Sequence, residues 1–343
     1  MIRLLRTRPT LTLIVLLAAA LLLSIAVGSV FISPAAAAQL TAARLNGSAL
    51  PVDLAPFNVI LFDLRLPRTL LMALAGAGLA GSGAAYQGLF RNPLADPYLI
   101  GVASGAGLGA ILAMTLGVGS SSPWLPLVPM SAFLGALVTV CGVAMLARVG
   151  GSIPSTNLVL AGVAVSSFAT SMTSFLMLIS TGELRRALVW LLGGASMSGW
   201  APVVAALPYI LIGLGVLLTC GHALNVMQFG DEQARQLGLP VGRVRLIVIA
   251  AASMATAAAV AFAGIIGFVG LIVPHVVRIV WGGDYRRILP FSFLGGAAFL
   301  LLADVLARVL LAPQELPVGI LTAMAGAPFF LWVLRCARAQ AFW

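Results

Sequence analysis

Long apolar stretches follow one another along almost the whole chain, and they constrain the fold more than any other feature. The first, Thr10–Ile32, contains no charged residue, and about 20 consecutive apolar residues are enough to cross a bilayer as a helix. Of the 343 residues, 61% are hydrophobic and only 8% are charged, whereas charged residues make up about 25% of a soluble domain. The chain is therefore predicted to be an all-α integral membrane protein.

Ten stretches are long and apolar enough to be spans. They are 10–32, 69–90, 98–118, 127–147, 157–180, 201–220, 246–264, 265–281, 288–311 and 318–334. The apolar region 246–281 is divided near Gly264, because one helix of about 36 residues would measure roughly 54 Å against a bilayer core of about 30 Å. Ser33–Gln39 resembles a signal-peptidase site, but the preceding span exceeds the roughly 7–15 apolar residues of a signal peptide. We expect an uncleaved first helix and a single transmembrane domain over 1–343.

Arginine supplies all 19 basic residues, and its distribution predicts the orientation. With the N-terminus in the cytoplasm, the inner arginines are Arg3, Arg6, Arg8, Arg91, Arg148, Arg235, Arg243, Arg245, Arg278, Arg286, Arg287, Arg335 and Arg338. The outer arginines are Arg44, Arg65, Arg68, Arg185, Arg186 and Arg308. This inner excess follows the positive-inside rule and places both termini in the cytoplasm. Because the arginines are scattered between apolar spans, the lipid bilayer rather than nucleic acid is the expected partner of the positive charge.

Several chemistries have no counterpart in the sequence. The chain has no lysine, which excludes a phosphate-binding loop of the Walker A type. Its three cysteines and two histidines show no metal-ligand spacing. We find no paired carboxylates and no Ser/His/Asp arrangement. The sequence therefore predicts no catalytic residue, no metal site and no cofactor bound by this chain.

Asp304 is the acidic residue that falls inside a predicted span. It precedes Arg308 by four residues, a spacing that favours an ion pair on one face of a helix. A structural pair near the outer end of the span is one interpretation. The alternative is a proton site, because ion-coupled carriers place acidic residues in mid-membrane.

The inward loop at about 222–245 is the longest on its side and predicts a short helix. Asp231 and Glu232 suit a helix N-terminus, and Gly238 followed by Pro240 suits a C-terminal stop. Such a helix either docks into a groove of another protein or lies on the lipid surface. On the opposite side, Arg65 and Arg68 offer guanidinium groups to an acidic partner or to lipid headgroups.

Five motifs together resemble the FecCD-type permeases, the membrane subunits of ATP-driven importers for ferric siderophores, heme and cobalamin. The resemblance covers about Leu64 to Arg338. The motifs are Leu64-Arg65-Leu66-Pro67-Arg68, Arg91-Asn92-Pro93-Leu94-Ala95-Asp96-Pro97, Ala234-Arg235-Gln236-Leu237-Gly238, Gly267-Phe268-Val269-Gly270-Leu271-Ile272-Val273-Pro274-His275 and Glu315-Leu316-Pro317-Val318-Gly319.

The resemblance implies an architecture and a set of partners. The architecture is ten transmembrane helices per subunit, with spans 2–5 and 7–10 as inverted repeats. The partners are a second copy of the chain, two cytoplasmic ATPase subunits that bind ATP and Mg²⁺, and a periplasmic substrate-binding protein. The location is the bacterial inner membrane.

The resemblance also implies roles for residues at matching positions. Docking of the binding protein falls to Arg65, Arg68 and Arg308, and coupling to the ATPase falls to Asp231, Glu232, Arg235, Gly238 and Leu239. The inner gate falls to Asn92, Leu94, Ser155, Thr156 and Asn157, although Asn157 departs from the small hydroxyl residue expected there. A short outer helix at about 184–199, with Arg185 and Trp190, would line the pathway.

The resemblance therefore implies a permease subunit that translocates an iron chelate, either heme or a ferric siderophore. Cobalamin is the first alternative cargo. An ion-coupled carrier that uses Asp304, or a structural or signalling membrane protein, is a more distant alternative.

Overall fold

The computed structural model describes residues 8–28, 30–46, 54–117, 127–150, 153–180, 184–194 and 199–339. Arg3 and Arg6 of the orientation prediction lie outside these residues, as do residues 195–198 of the predicted outer helix. Within the described ranges, one helix corresponds to each of the ten predicted spans. They are α1 (Pro9–Ala26), α2 (Leu66–Phe90), α3 (Val102–Thr115), α4 (Leu127–Leu146), α5 (Ser155–Ile179), α6 (Ala201–Thr219), α7 (Val241–Ala263), α8 (Val269–Trp281), α9 (Tyr285–Val309) and α10 (Val318–Ala339). By length and composition alone, α1, α4, α5, α6, α7 and α9 are able to cross a membrane.

Shorter helices fill the connections. They are Pro34–Asn46, Ala55–Val59 continuing as a π-helix over Ile60–Arg65, a 3-10 turn over Pro97–Ile100, Leu184–Leu191, Gly221–Met227 and Asp231–Gln236. The helix Pro34–Asn46 was not predicted, because it has neither the length nor the hydropathy of a span. It buries Leu40 in a small separate cluster with Ile32 and Leu61. The predicted outer helix is shorter than expected and ends at Leu191.

Helix α2 lies at the centre of the bundle, where it contacts α6, α7, α8 and α9. Its glycines let neighbouring backbones approach closely. A Cβ on Gly76 would collide with the carbonyl of Gly296 on α9, and a Cβ on Gly83 would collide with that of Gly270 on α8. Small residues at helix crossings are the usual means of packing in lipid, because van der Waals contact replaces the hydrophobic effect there.

The predicted division between the seventh and eighth spans is present. Gly264 ends α7 with a φ of 81°, and Phe268 precedes α8 with a φ of 68°. Helix α7 begins at Val241 rather than at 246, so it is longer than the predicted span. The chain therefore turns between two helices instead of forming one helix too long for the bilayer.

The contacts between helices match those expected of an inverted repeat, in which equivalent helices of the two halves contact equivalent neighbours. Helix α2 packs on α8 and α9 in the way that α7 packs on α3 and α4. Within each repeat, α3 contacts α4 and α5, and α8 contacts α9 and α10. The fold is the predicted ten-helix bundle with two related halves.

Candidate functional site

The predicted short helix of the inward loop is present as Asp231–Gln236. Gly238 adopts a left-handed φ of 83°, and its N–H donates to the carbonyl of Arg235 at 2.9 Å. The N–H of Leu239 donates to the carbonyl of Ala234 at 3.0 Å. Together these hydrogen bonds form a Schellman motif, which ends a helix on a left-handed residue. A side chain at Gly238 would strain this turn.

One face of this helix is anchored and the other is open. Ala234 is fully buried and Leu239 is half-buried against the core. Glu232 and Arg235 lie on the exposed side, where they form a weak ion pair at 3.5 Å. Leu237 is also exposed, although it is apolar. The arrangement presents an exposed surface with charged groups and one apolar side chain.

Asp231 differs from Glu232 because it points back into the protein. Its Oδ2 lies 2.7 Å from Nη2 of Arg245 on α7, and its Oδ1 lies 4.0 Å from Nη2 of Arg91 at the end of α2. Nη1 of Arg245 donates to the carbonyl of Ile153 at 2.7 Å. The short helix Asp231–Gln236 is thereby connected to residues beside both predicted gate turns.

The first predicted gate turn follows α2. Arg91 has a φ of 51° and ends the helix. The N–H of Leu94 then donates to Oδ1 of Asn92 at 2.9 Å. An asparagine side chain that bonds the backbone two residues ahead stabilises a tight turn. Asn92 therefore has a structural task in addition to its predicted gate role, which stays a prediction.

The second predicted gate turn forms the start of α5. Ser155, Thr156 and Asn157 occupy the first turn of this helix after Pro154. Thr156 is exposed, while Ser155 and Asn157 are half-buried. Their gate role likewise stays a prediction.

Asp96 lies just beyond the first gate turn. Its Oδ1 accepts a hydrogen bond from the N–H of Tyr98 at 2.8 Å and caps the 3-10 turn. Burial raises the pKa of the Asp96 carboxyl to about 6, because the effect of desolvation is larger than the opposing effect of the hydrogen bond from Tyr98.

A second anchor of the inward loop was missed by the sequence reasoning. Nδ2 of Asn225 donates to Oδ1 of Asp284 at 2.6 Å, and Oδ1 of Asn225 accepts from the N–H of Tyr285 at 2.8 Å. Hydrogen bonds from Arg286 and Asn225 hold the pKa of the Asp284 carboxyl far below its usual range. Asn225 thus fastens the helix Gly221–Met227 to the start of α9. The sequence signal that could have revealed half of this contact is Asp284, which directly precedes a helical run and suits an N-cap.

At the opposite end of α2, a cluster of charges joins three helices. Asp304 is fully buried on α9, and the predicted ion pair with Arg308 is present at 3.1 Å. Arg68 on α2 also binds Asp304, with Nη2 2.9 Å from Oδ1. Nη1 of Arg68 lies 2.6 Å from Oε2 of Glu315, which is exposed. Neither contact of Arg68 is visible from local spacing, because its partners lie 236 and 247 residues away.

Arg308 of this cluster and the neighbouring Arg65 hold the end of α1 in place. Arg65 donates to the carbonyls of Ile25, Ala26 and Val30. Arg308 donates to the carbonyl of Ser24 at 3.2 Å and to its hydroxyl at 3.0 Å. Cations suit the carbonyl-rich C-terminal end of a helix.

The geometry bears on the predicted docking site. Arg65 is 6% exposed and Arg308 is 4% exposed, so both guanidinium groups are occupied inside the protein. Arg68 is more accessible, with 24% of its side chain exposed. Docking by these three residues stays a prediction, and Arg68 with Glu315 supplies the surface portion of the cluster.

The two predicted pathway residues, Arg185 and Trp190, differ in their exposure. Arg185 is exposed on the helix Leu184–Leu191, whereas Trp190 is 1% exposed and belongs to the core. Trp190 therefore does not line an open surface in this structure, because its ring packs inward. A cleft of about 370 Å³ adjoins Leu191 of the same helix, and its surface is mostly apolar although six of its eleven lining residues carry hydroxyl groups. Its polar lining residues are Tyr98, Ser104, Ser166, Thr170, Thr173 and Ser174. Across the described residues, no group of three or more metal-ligating side chains is found.

The helix bundle defines the broad class of the protein, which is a multi-pass membrane protein. The FecCD transport family matches residues 16–336, and the chain belongs to this family. The predicted resemblance is therefore confirmed.

Similar proteins carry related descriptions. The cobalamin import system permease protein BtuC of Halobacterium salinarum is 48% identical over 284 residues, which are 83% of this chain and 75% of that protein. The hemin transport system permease protein HmuU of Yersinia pestis is 41% identical over 287 residues, which are 82% of this chain and 84% of that protein. A solved inward-facing structure described as a metal-chelate type ABC transporter has a TM-score of 0.80 and 31% identity, and covers 95% of this chain and 97% of its own.

Proposed function

We propose that this chain forms the translocation pathway of a binding-protein-dependent importer in the bacterial inner membrane. Two copies would enclose the pathway, with both termini in the cytoplasm. Two separate subunits would supply ATP hydrolysis, and a periplasmic protein would deliver the cargo. The observation that carries the proposal is the helix Asp231–Gln236, which is open on one side and tied to α7 on the other.

The proposed cargo is a metal chelate. Our first candidate is an iron chelate, either heme or a ferric siderophore, which the hemin permease of Yersinia pestis supports. Cobalamin is the second candidate, and the 48% identity to the cobalamin permease of Halobacterium salinarum supports it. The cleft beside α5 offers such a cargo a mostly apolar surface with scattered hydroxyl groups and no charged side chain.

A cargo assay distinguishes these candidates. The chain is reconstituted with its ATPase subunits in proteoliposomes, and hemin, a ferric hydroxamate siderophore and cobalamin are each supplied with a cognate binding protein. ATP-dependent accumulation of one cargo identifies it. Failure of all three to accumulate with an active ATPase would contradict the metal-chelate assignment.

The coupling role is tested at the glycine stop. Gly238→Val places a β-branched side chain at a φ of 83°, which disfavours the Schellman turn. We expect ATP hydrolysis to continue while cargo uptake falls. Gly242→Val is the matched control, because a Cβ at Gly242 meets no atom within 4 Å and its φ is not positive. Normal ATP-driven uptake in Gly238→Val would refute the coupling role.

The ion-coupled alternative depends on Asp304. This residue is fully buried on α9, where it pairs with both Arg68 and Arg308. Asp304→Asn distinguishes the two functions. Abolished uptake with intact stimulation of the ATPase would support the ion-coupled carrier.

A further inference from the structure

Arg245 occupies an unusual position for a charged residue in this protein. Only 5% of its side chain is exposed, and burying a charge is costly unless it is paired and hydrogen-bonded. Its two terminal nitrogens serve different parts of the chain. Nη2 binds the carboxylate of Asp231 at 2.7 Å, and Nη1 donates to the carbonyl of Ile153 at 2.7 Å.

The carbonyl of Ile153 lies immediately before the start of α5. Pro154 follows with a φ of −62°, which its ring restricts. The carbonyl of Pro154 then accepts the N–H of Leu158 at 3.1 Å, the first hydrogen bond of α5. A displacement of Ile153 is therefore passed to α5 through one stiff residue.

A second branch leads from Asp231 to the other gate turn. Its Oδ1 lies 4.0 Å from Nη2 of Arg91, which directly precedes Asn92. The backbone at Gly230 also passes close to this arginine, since a Cβ there would lie 3.3 Å from Nη1 of Arg91. Arg91 is exposed, with 47% of its side chain accessible, so this branch is weaker than the buried one.

From this geometry we infer that Arg245 is the positioning residue that transmits movement of the coupling helix to the inner gate. Asp231 moves with the helix, and the guanidinium group of Arg245 carries that movement to the Ile153 carbonyl and the start of α5. The inference rests on the proposed coupling role of Asp231–Leu239 and on the predicted inner gate at Ser155–Asn157, which the family resemblance implies. It adds the residue that joins the two.

The chemistry of the side chain makes this inference testable. Arginine presents several N–H donors in a rigid fork, so it holds two acceptors in one fixed geometry. Lysine keeps the positive charge but concentrates its donors on one flexible ammonium group. Arg245→Lys therefore preserves charge compensation for Asp231 while loosening the fixed relation between Asp231 and Ile153.

The experiment measures the amount of cargo transported per ATP hydrolysed. The full complex is reconstituted in proteoliposomes, hemin, a ferric hydroxamate siderophore and cobalamin are offered, and the ratio is taken for the cargo that the unmodified protein accumulates. We expect Arg245→Lys to lower this ratio at least about fivefold, the lower end of ordinary coupling between sites. Arg243→Lys is the matched control, since Arg243 is exposed two positions earlier on α7, and its ratio should not change.

A second variant guards against failure of Arg245→Lys to fold. Asp231→Asn is milder because 29% of the Asp231 side chain is exposed, and it should lower the same ratio. Residues that act as one connection give non-additive effects, so the double variant should be no worse than the more severe single one. A purely structural Arg245 would reduce the yield of folded complex and leave the ratio unchanged.

The outcomes separate this inference from the function on which it rests. If Gly238→Val uncouples the complex while Arg245→Lys keeps a normal ratio, the positioning role of Arg245 is overturned and the coupling role survives. If neither Gly238→Val nor Arg245→Lys changes the ratio, the proposed coupling helix itself is wrong. Additive losses from Asp231→Asn and Arg245→Lys would also overturn the connection, because they would act independently.

Discussion

Asp304 links α1, α2 and α9 through two arginines, and the substitution Asp304→Asn measures how much this link stabilises the bundle. The change keeps the side-chain volume but leaves Arg308, which is 4% exposed, without its carboxylate. Removing one partner of a buried ion pair costs about 3–5 kcal/mol, because the remaining charge stays buried. With an unfolding entropy of about 2.1 cal/mol/K per residue, the thermal midpoint of a chain of this length falls by roughly 4–7 °C.

The assay is the apparent thermal midpoint of the purified chain in detergent, followed by the fluorescence of a thiol-reactive dye or by circular dichroism. Glu232→Gln is the control, because it breaks the exposed pair with Arg235, and exposed pairs contribute about 0–1 kcal/mol. Its midpoint should change little.

A double variant tests the physical reason. Asp304→Asn combined with Arg308→Gln removes both charges, so no uncompensated charge of that pair remains in the core. Part of the lost stability should return. An unchanged midpoint in Asp304→Asn, or a double variant that loses the sum of both single effects, would refute the reasoning.

Three further outcomes follow from the structure. Gly76→Ala should lower the thermal midpoint, because its Cβ collides with the backbone of α9, whereas Gly142→Ala has open space and should be neutral or slightly stabilising; equal midpoints would contradict the close packing. Asp284→Ala should cost about 1 kcal/mol at neutral pH through loss of the cap of α9. Since the folded-state pKa of Asp284 is lowered, its contribution is present above about pH 4 and is lost as the pH falls, so melting curves of Asp284→Ala and the unmodified chain should converge in acid. Asp96 has the opposite sign: its pKa is raised to about 6, so its contribution is greatest below about pH 4 and is lost as the pH rises through 6. Asp96→Asn should remove that part of the pH dependence, and an unchanged pH profile would show that Asp96 is not desolvated.

Features that depend on nearby residues were predictable from the sequence. The spans follow from runs of apolar residues, and the stop at Gly238 follows from a glycine with a proline behind it. The pair of Asp304 with Arg308 follows from helical spacing. Each of these features lies within one helix or one turn, where the distance along the sequence determines the distance in space.

Features that depend on how helices cross were not predictable. Arg68 meets Asp304 across 236 residues, and Arg245 meets Ile153 across 92. The loop sequence gives no sign that Asp231 points inward while Glu232 points outward. That difference arises because only the Asp231 side of the helix faces α7 and α2.

The fastening of α1 has a consequence for the maturation of the protein. Proteolysis within Ser33–Gln39, which resembles a processing site, would carry away the carbonyl groups that accept from Arg65 and the Ser24 groups that accept from Arg308. Two guanidinium groups would then stay in the bundle without these acceptors, at a cost of about 1–3 kcal/mol for each unsatisfied group. The first helix and the residues just after it therefore supply the acceptor groups that Arg65 and Arg308 use in the folded bundle.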